Sequence, residues 1–134
     1  MADKKIFSRV KMLTTTTGTG AISISGVAKN SYFSFSEVGA ANGDSIYYAI
    51  DASEGLVGST QFEVGIGTLS AISGATATLS RDSVLSSSNS NNLVDFAAGT
   101  KSVASVLPGE ATVVTNLAED NAETIALERV MGMT

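Results

Sequence analysis

Val10-Lys11-Met12-Leu13-Thr14-Thr15-Thr16-Thr17-Gly18-Thr19-Gly20-Ala21-Ile22-Ser23-Ile24-Ser25 is the stretch on which the fold class turns. In Ala21–Ser25 apolar and hydroxyl residues alternate singly, the period of a strand with one face in a core and one in water. Val10–Thr16 is a second strand-like run, and the glycines of Thr17-Gly18-Thr19-Gly20 between them can take positive φ without steric cost. A hairpin of Val10–Thr16 and Ala21–Ser25 is the expectation.

The same grammar extends outward. Tyr32-Phe33-Ser34-Phe35-Ser36 and Ala75-Thr76-Ala77-Thr78-Leu79 alternate in the same way, and Asn42-Gly43-Asp44 marks a turn before Ser45–Ile50. Gln61–Gly67, Lys101–Leu107 and Ala111–Thr115 complete eight or nine expected strands. The fold expected is all-β, a sandwich or small barrel of short antiparallel strands. Ser86–Asn92 lacks apolar anchors and reads as a mobile surface loop. After Pro108-Gly109 the pattern changes: Asn116 with Glu119 resembles a capping box, opening a helix from Leu117 to about Val130. Three regions are thus expected: a basic arm over 1–10, a β domain over 11–115 and an acidic helical tail over 116–134.

Charge follows that division. Met1–Lys11 holds Lys4, Lys5, Arg9 and Lys11 against Asp3, a balance of +3. Residues 110–134 hold Glu110, Glu119, Asp120, Glu123 and Glu128 against Arg129, a balance of −4. Only 16% of the 134 residues are charged while 33 are Ser or Thr, so the surface must be coated with hydroxyls more than with ions. The absence of Cys and His excludes disulfides, thiolate chemistry and the commonest general base and metal ligand. No apolar run approaches the roughly 18 residues of a membrane span. A soluble protein made in the cytoplasm is expected, with no membrane partner, no cofactor and no metal.

Each remaining candidate has a plainer reading. Gly65-Ile66-Gly67 lacks the third glycine of a dinucleotide fingerprint, so a tight turn or a close backbone approach is expected. Thr14–Gly20 lacks the Gly-Lys-Ser/Thr of a phosphate loop. Asp51 with Glu54, and Glu119 with Asp120 and Glu123, have no calcium-loop spacing and read as solvated charge. For Arg81-Asp82 a buried ion pair stands against an ordinary turn, and the turn is preferred because adjacent strand residues face opposite ways. The aromatic residues read as core and, at net charge −5, not as a nucleic-acid platform, with one ring of Tyr47 and Tyr48 expected at the surface.

Arg9-Val10-Lys11 running into Thr14–Gly20 resembles a module of virion structural proteins of tailed bacteriophages, often found at the N-terminus of tail-fibre-type proteins. Four more blocks follow in the same order: Asn42–Ile50, Phe62–Thr68, Thr78–Asn89 and Val94–Lys101, so the likeness spans about Arg9 to Pro108. The chain differs from that module in Phe62, where Trp is usual, in a longer Asp51–Gln61 loop, and in the short tail after Pro108, which favours a small standalone component. The resemblance implies a non-enzymatic component of the virion, assembled in the bacterial cytoplasm, of the tail or tail-fibre adaptor type. Alternatives are a capsid decoration protein, expected as a trimer, and a glycan-binding adhesion module using Tyr47 or Tyr48. The partners expected are other virion proteins (tail, connector or capsid subunits) and further copies of this chain. Contacts are expected through Lys4, Lys5, Ile6, Phe7 and Arg9 of the arm and Leu127, Val130 and Met131 of the tail. The arm has few apolar residues, so its removal is expected to leave the domain folded.

Overall fold

The computed structural model describes residues 4–53 and 58–109. Eight strands follow one another: β1 (Lys4–Lys5), β2 (Lys11–Thr14), β3 (Ile22–Val27), β4 (Ser45–Asp51), β5 (Phe62–Ser73), β6 (Thr76–Leu79), β7 (Ser83–Ser87) and β8 (Lys101–Ser105). Six of them close a ring in the order β4-β8-β2-β3-β6-β5, with β5 returning to β4 from Ser45↔Thr68 to Asp51↔Phe62. Every pairing in the ring is antiparallel. The architecture is therefore a barrel, which satisfies its strand edges by closure. Two outer strands lie on it: β1 runs parallel along β4, and β7 antiparallel along the first half of β5. The helix from Leu117, the strand Ala111–Thr115 and the contact residues Leu127, Val130 and Met131 lie outside the described residues.

Single-residue alternation builds the interior. Met12 of β2, Ile22 and Ile24 of β3, Ile46, Tyr48 and Ile50 of β4, Leu69 of β5, Leu79 of β6 and Val103 of β8 are buried, while the intervening residues, except buried Ser102 of β8, face outward or are half-buried. A six-stranded barrel has room only for side chains, so large residues must meet small ones. Gly65 lies opposite Tyr48 in the β4–β5 register. A Cβ at Gly65 would collide with the Ser83 carbonyl and the Tyr48 hydroxyl, and one at Gly67 with the Ser80 carbonyl and Leu79. The pair thus marks a close approach inside a strand, not a turn. A buried Phe from a long loop closes each end of the barrel: Phe35 from residues 28–44 and Phe96 from residues 88–100.

Three expectations are corrected. Tyr32–Ser36 alternates but forms no strand; only Phe33 makes a bridge, to Val10. The winning signal is Ser34-x-x-Glu37, where the Ser34 N–H donates to Glu37 Oε1 (2.9 Å) and the Glu37 N–H to Ser34 Oγ (3.2 Å), a capping box that closes one turn ending at Gly39. Ser86 and Ser87 belong to β7, and the turn beyond them is cross-tied. Ser87 Oγ donates to the Asn92 carbonyl (2.5 Å), the Ser87 N–H to Asn91 Oδ1 (3.1 Å), and Asn89 Nδ2 to the Leu93 carbonyl (2.8 Å). Short polar side chains here replace the missing apolar anchors by bonding the local backbone. Finally, the arm does contribute core: Val10 is 3% exposed, and Phe7 packs edge-on against Phe35 with ring centroids 6.2 Å apart.

Candidate functional site: a saturated buried cluster and a basic rim

Glu63 is the inward-facing residue of β5 one step from its start, and it is fully buried. Arg81 reaches it from the β6–β7 connection, forming an ion pair of 2.5 Å whose side chains are 1% and 0% exposed. The guanidinium uses all five donors: Nε and Nη2 to the two Glu63 oxygens, Nη2 also to the Val94 carbonyl (2.6 Å), and Nη1 to the Gly18 and Gly20 carbonyls (3.0 and 3.3 Å). Its carbon lies 5.2 Å from the Phe96 ring centroid. Glu63 in turn accepts from the Tyr48 hydroxyl (2.6 Å) and the Val94 N–H (2.8 Å), which with Arg81 gives two bonds to each oxygen. The preferred reading of Arg81 as a turn residue is overturned. Its neighbour Asp82 faces the other way and accepts from the Thr68 and Ser80 hydroxyls.

Burial raises the proton affinity of Glu63, but Arg81, then Tyr48 and the Val94 N–H, outweigh it and hold the carboxyl below its ordinary value. Burial, followed by the adjacent carboxylate, pushes the Tyr48 hydroxyl far above its ordinary value. The cluster is thus an ionised pair with a neutral phenol, and no lone pair of Glu63 remains for a substrate. Its work is mechanical: it ties β4, β5, the Thr15–Ala21 connection and the 88–100 loop into one block. Lys101 stands at the same end, fully buried, its ammonium donating to the Ala97 and Gly99 carbonyls at 2.7 Å each, and burial lowers its pKa.

The opposite end carries the exposed cations of the described residues, Lys5, Arg9 and Lys29. Lys5 pairs with Asp44 at 3.0 Å. Arg9 lies 4.3 Å and the Lys11 ammonium 5.6 Å from the Tyr32 ring centroid, so two cations share one aromatic ring. Arg9 Nη2 donates to the Ser31 carbonyl (3.2 Å), and its backbone is left-handed at φ 61°, a conformation that costs a non-glycine residue on the order of 1 kcal/mol or more. Lys29 is exposed on the same loop, its carbonyl accepting from the Tyr32 N–H (3.0 Å), and Phe33 is 46% exposed. This rim adjoins the exit of β8. The Ser105 N–H donates to the Val10 carbonyl (3.3 Å) and the Val106 N–H to the Tyr47 carbonyl (3.2 Å), and the chain passes through exposed Leu107 into Pro108 and Gly109.

The contact residues expected from sequence separate accordingly. Lys4, Lys5, Ile6, Phe7 and Arg9 come together at the rim, with Ile6 50% exposed and Phe7 turned onto Phe35. Tyr48 is sealed in the core and has no surface to offer a partner. Tyr47 faces outward in register with Ile66, beside the pair Ala49↔Val64, on an apolar outer strip of β4 and β5. Asp51 Oδ1 accepts from the Ser53 N–H and hydroxyl, and Glu54 lies outside the described residues. Among the described residues no three acidic, His or Cys side chains gather in metal-binding geometry. Sequence reasoning missed Glu63 and Tyr32. A charged residue in the inward register of β5 was the available sign for Glu63; Tyr32 had none, because its ring is placed by Arg9 across a loop. No family model, curated protein or solved structure matches this chain.

Proposed function

We propose that this chain is a non-enzymatic structural module that acts by being built into a larger assembly. Following the block order that resembles the phage module, the assembly is a tailed-phage virion and the position that of a tail or tail-fibre adaptor. The observation that carries the reading is the saturation of the Glu63–Arg81–Tyr48 cluster. Among the described residues this buried acid, its arginine and its phenol are all committed to holding two loops against the barrel wall. A hydroxyl-coated barrel with a basic rim suits repetitive packing, because closure of the six-stranded ring leaves its own strands without bare edges.

Antibodies raised against the chain, applied to particles purified from the host that encodes it, test the assignment by negative-stain microscopy. Labelling at the tail or its fibres is expected. Labelling over the head would place the protein among capsid decorations, and its absence from purified particles by mass spectrometry would end the virion reading.

A further inference from the structure

Residues 110–134 carry five acids against one arginine, and they begin where the chain leaves the barrel beside Arg9-Val10-Lys11. The cations at that exit are unevenly committed. Lys5 is paired with Asp44, but among the described residues the Arg9 guanidinium makes one hydrogen bond, to the Ser31 carbonyl, and lies against Tyr32. Lys29 projects from the same loop and is exposed. Glu37 is the other acid on this loop, and it is occupied with the Ser34 N–H. Next to these charges Phe33 exposes an apolar ring, and Ile6 and Leu107 are exposed at the same end. A rim that is cationic, aromatic and partly oily fits a segment that is acidic and carries Ile125, Leu127, Val130 and Met131.

We infer that the rim formed by Arg9, Lys11, Lys29, Tyr32 and Phe33 is a docking surface whose occupant is the acidic 110–134 segment of the same chain. Carboxylates of the segment meet the Arg9 and Lys29 heads, and its apolar residues cover Phe33. Twenty-five residues reach about 80 Å when extended, far more than the path requires. Tethering supplies an effective concentration on the order of millimolar, so weak charge contacts suffice. The docked segment covers the rim of the free protein, and a particle that uses the rim must displace it. This inference does not depend on the virion reading, because its test uses the isolated protein.

The chain contains no cysteine, so Ala122→Cys gives one attachment point for a spin label on the full-length protein. Paramagnetic broadening of the Arg9–Lys11 and Lys29–Phe33 amides is expected, with the Gly18 and Phe96 amides at the far end spared. Raising salt to 1 M, where the screening length is about 3 Å, should restore most of the lost intensity. Lys29→Glu should weaken the broadening severalfold while leaving the remaining amide spectrum in place. Equal broadening at both ends, none at the rim, or indifference to salt and to Lys29→Glu would overturn the inference. So would equally strong broadening in a mixture of spin-labelled copies and separately isotope-labelled copies, which would assign the segment to a neighbouring molecule.

Discussion

At the barrel end closed by Phe96, Arg81 lies out of water with all five donors answered, whereas at the end closed by Phe35, Arg9 keeps its guanidinium over Tyr32 with one hydrogen bond among the described residues. The residue type is the same and the consequences are opposite. Desolvation makes every partner of Arg81 obligatory, because a lost partner leaves a charge with neither protein nor water around it. At the rim solvent substitutes for a missing partner, so charge there can change hands at little cost to folding. The sealed end is built for rigidity and the rim for exchange.

Arg81→Met is the most direct way to break this contrast. It leaves Glu63 buried without its counter-charge and removes the guanidinium from three backbone carbonyls, and should cost about 3–5 kcal/mol in urea unfolding. A loss under about 1 kcal/mol would show that the cluster holds nothing together. Acid comes next. Because the Glu63 pKa is lowered in the folded state, its contribution is complete above the ordinary carboxylate value of 4.5 and disappears as pH falls through the lower folded value. The urea midpoint should hold from neutral pH to about that point and then fall, and Arg81→Met should lose this acid slope.

Phe7→Ala sharpens the comparison at the other end. It removes a half-buried ring from Phe35 and should cost about 1–2 kcal/mol in thermal or urea unfolding, less than a full core truncation. A neutral result would restore the idea of an arm that contributes no core. Lys29→Glu is the smallest case: stability should move by less than about 0.5 kcal/mol, and a larger change would mean that the rim is itself part of the folded framework.

The barrel was legible wherever alternation and register coincide. Ile22 and Ile24 of β3 and Ile46, Tyr48 and Ile50 of β4 announce their inward faces in the sequence. Tyr32–Ser36 shows where that logic fails, since a local capping box overrode a five-residue period. The choice of barrel over sandwich depends on the β4–β5 seam, a pairing of whole strands that no local pattern encodes. Glu63 and Arg81 are separated by 18 residues, and their meeting depends on the turn that brings the chain back past β5. Adjacent residues facing opposite ways, the reason for doubting a pair at Arg81-Asp82, is the arrangement found. Each residue did seek its own partner, and for Arg81 that partner lay inside.

β8 sits between β2 and β4, joining Thr14↔Lys101 on one side and Asp51↔Ser102 on the other. A ribosome delivers the first two strands of that trio long before the third, so the nascent polypeptide carries an unzipped slot until Lys101–Ser105 emerges. During that interval the gap is open to a strand from another growing chain, and tethering favours its own once that has emerged. Translation speed through residues 52–100 therefore bears on how many copies mature cleanly.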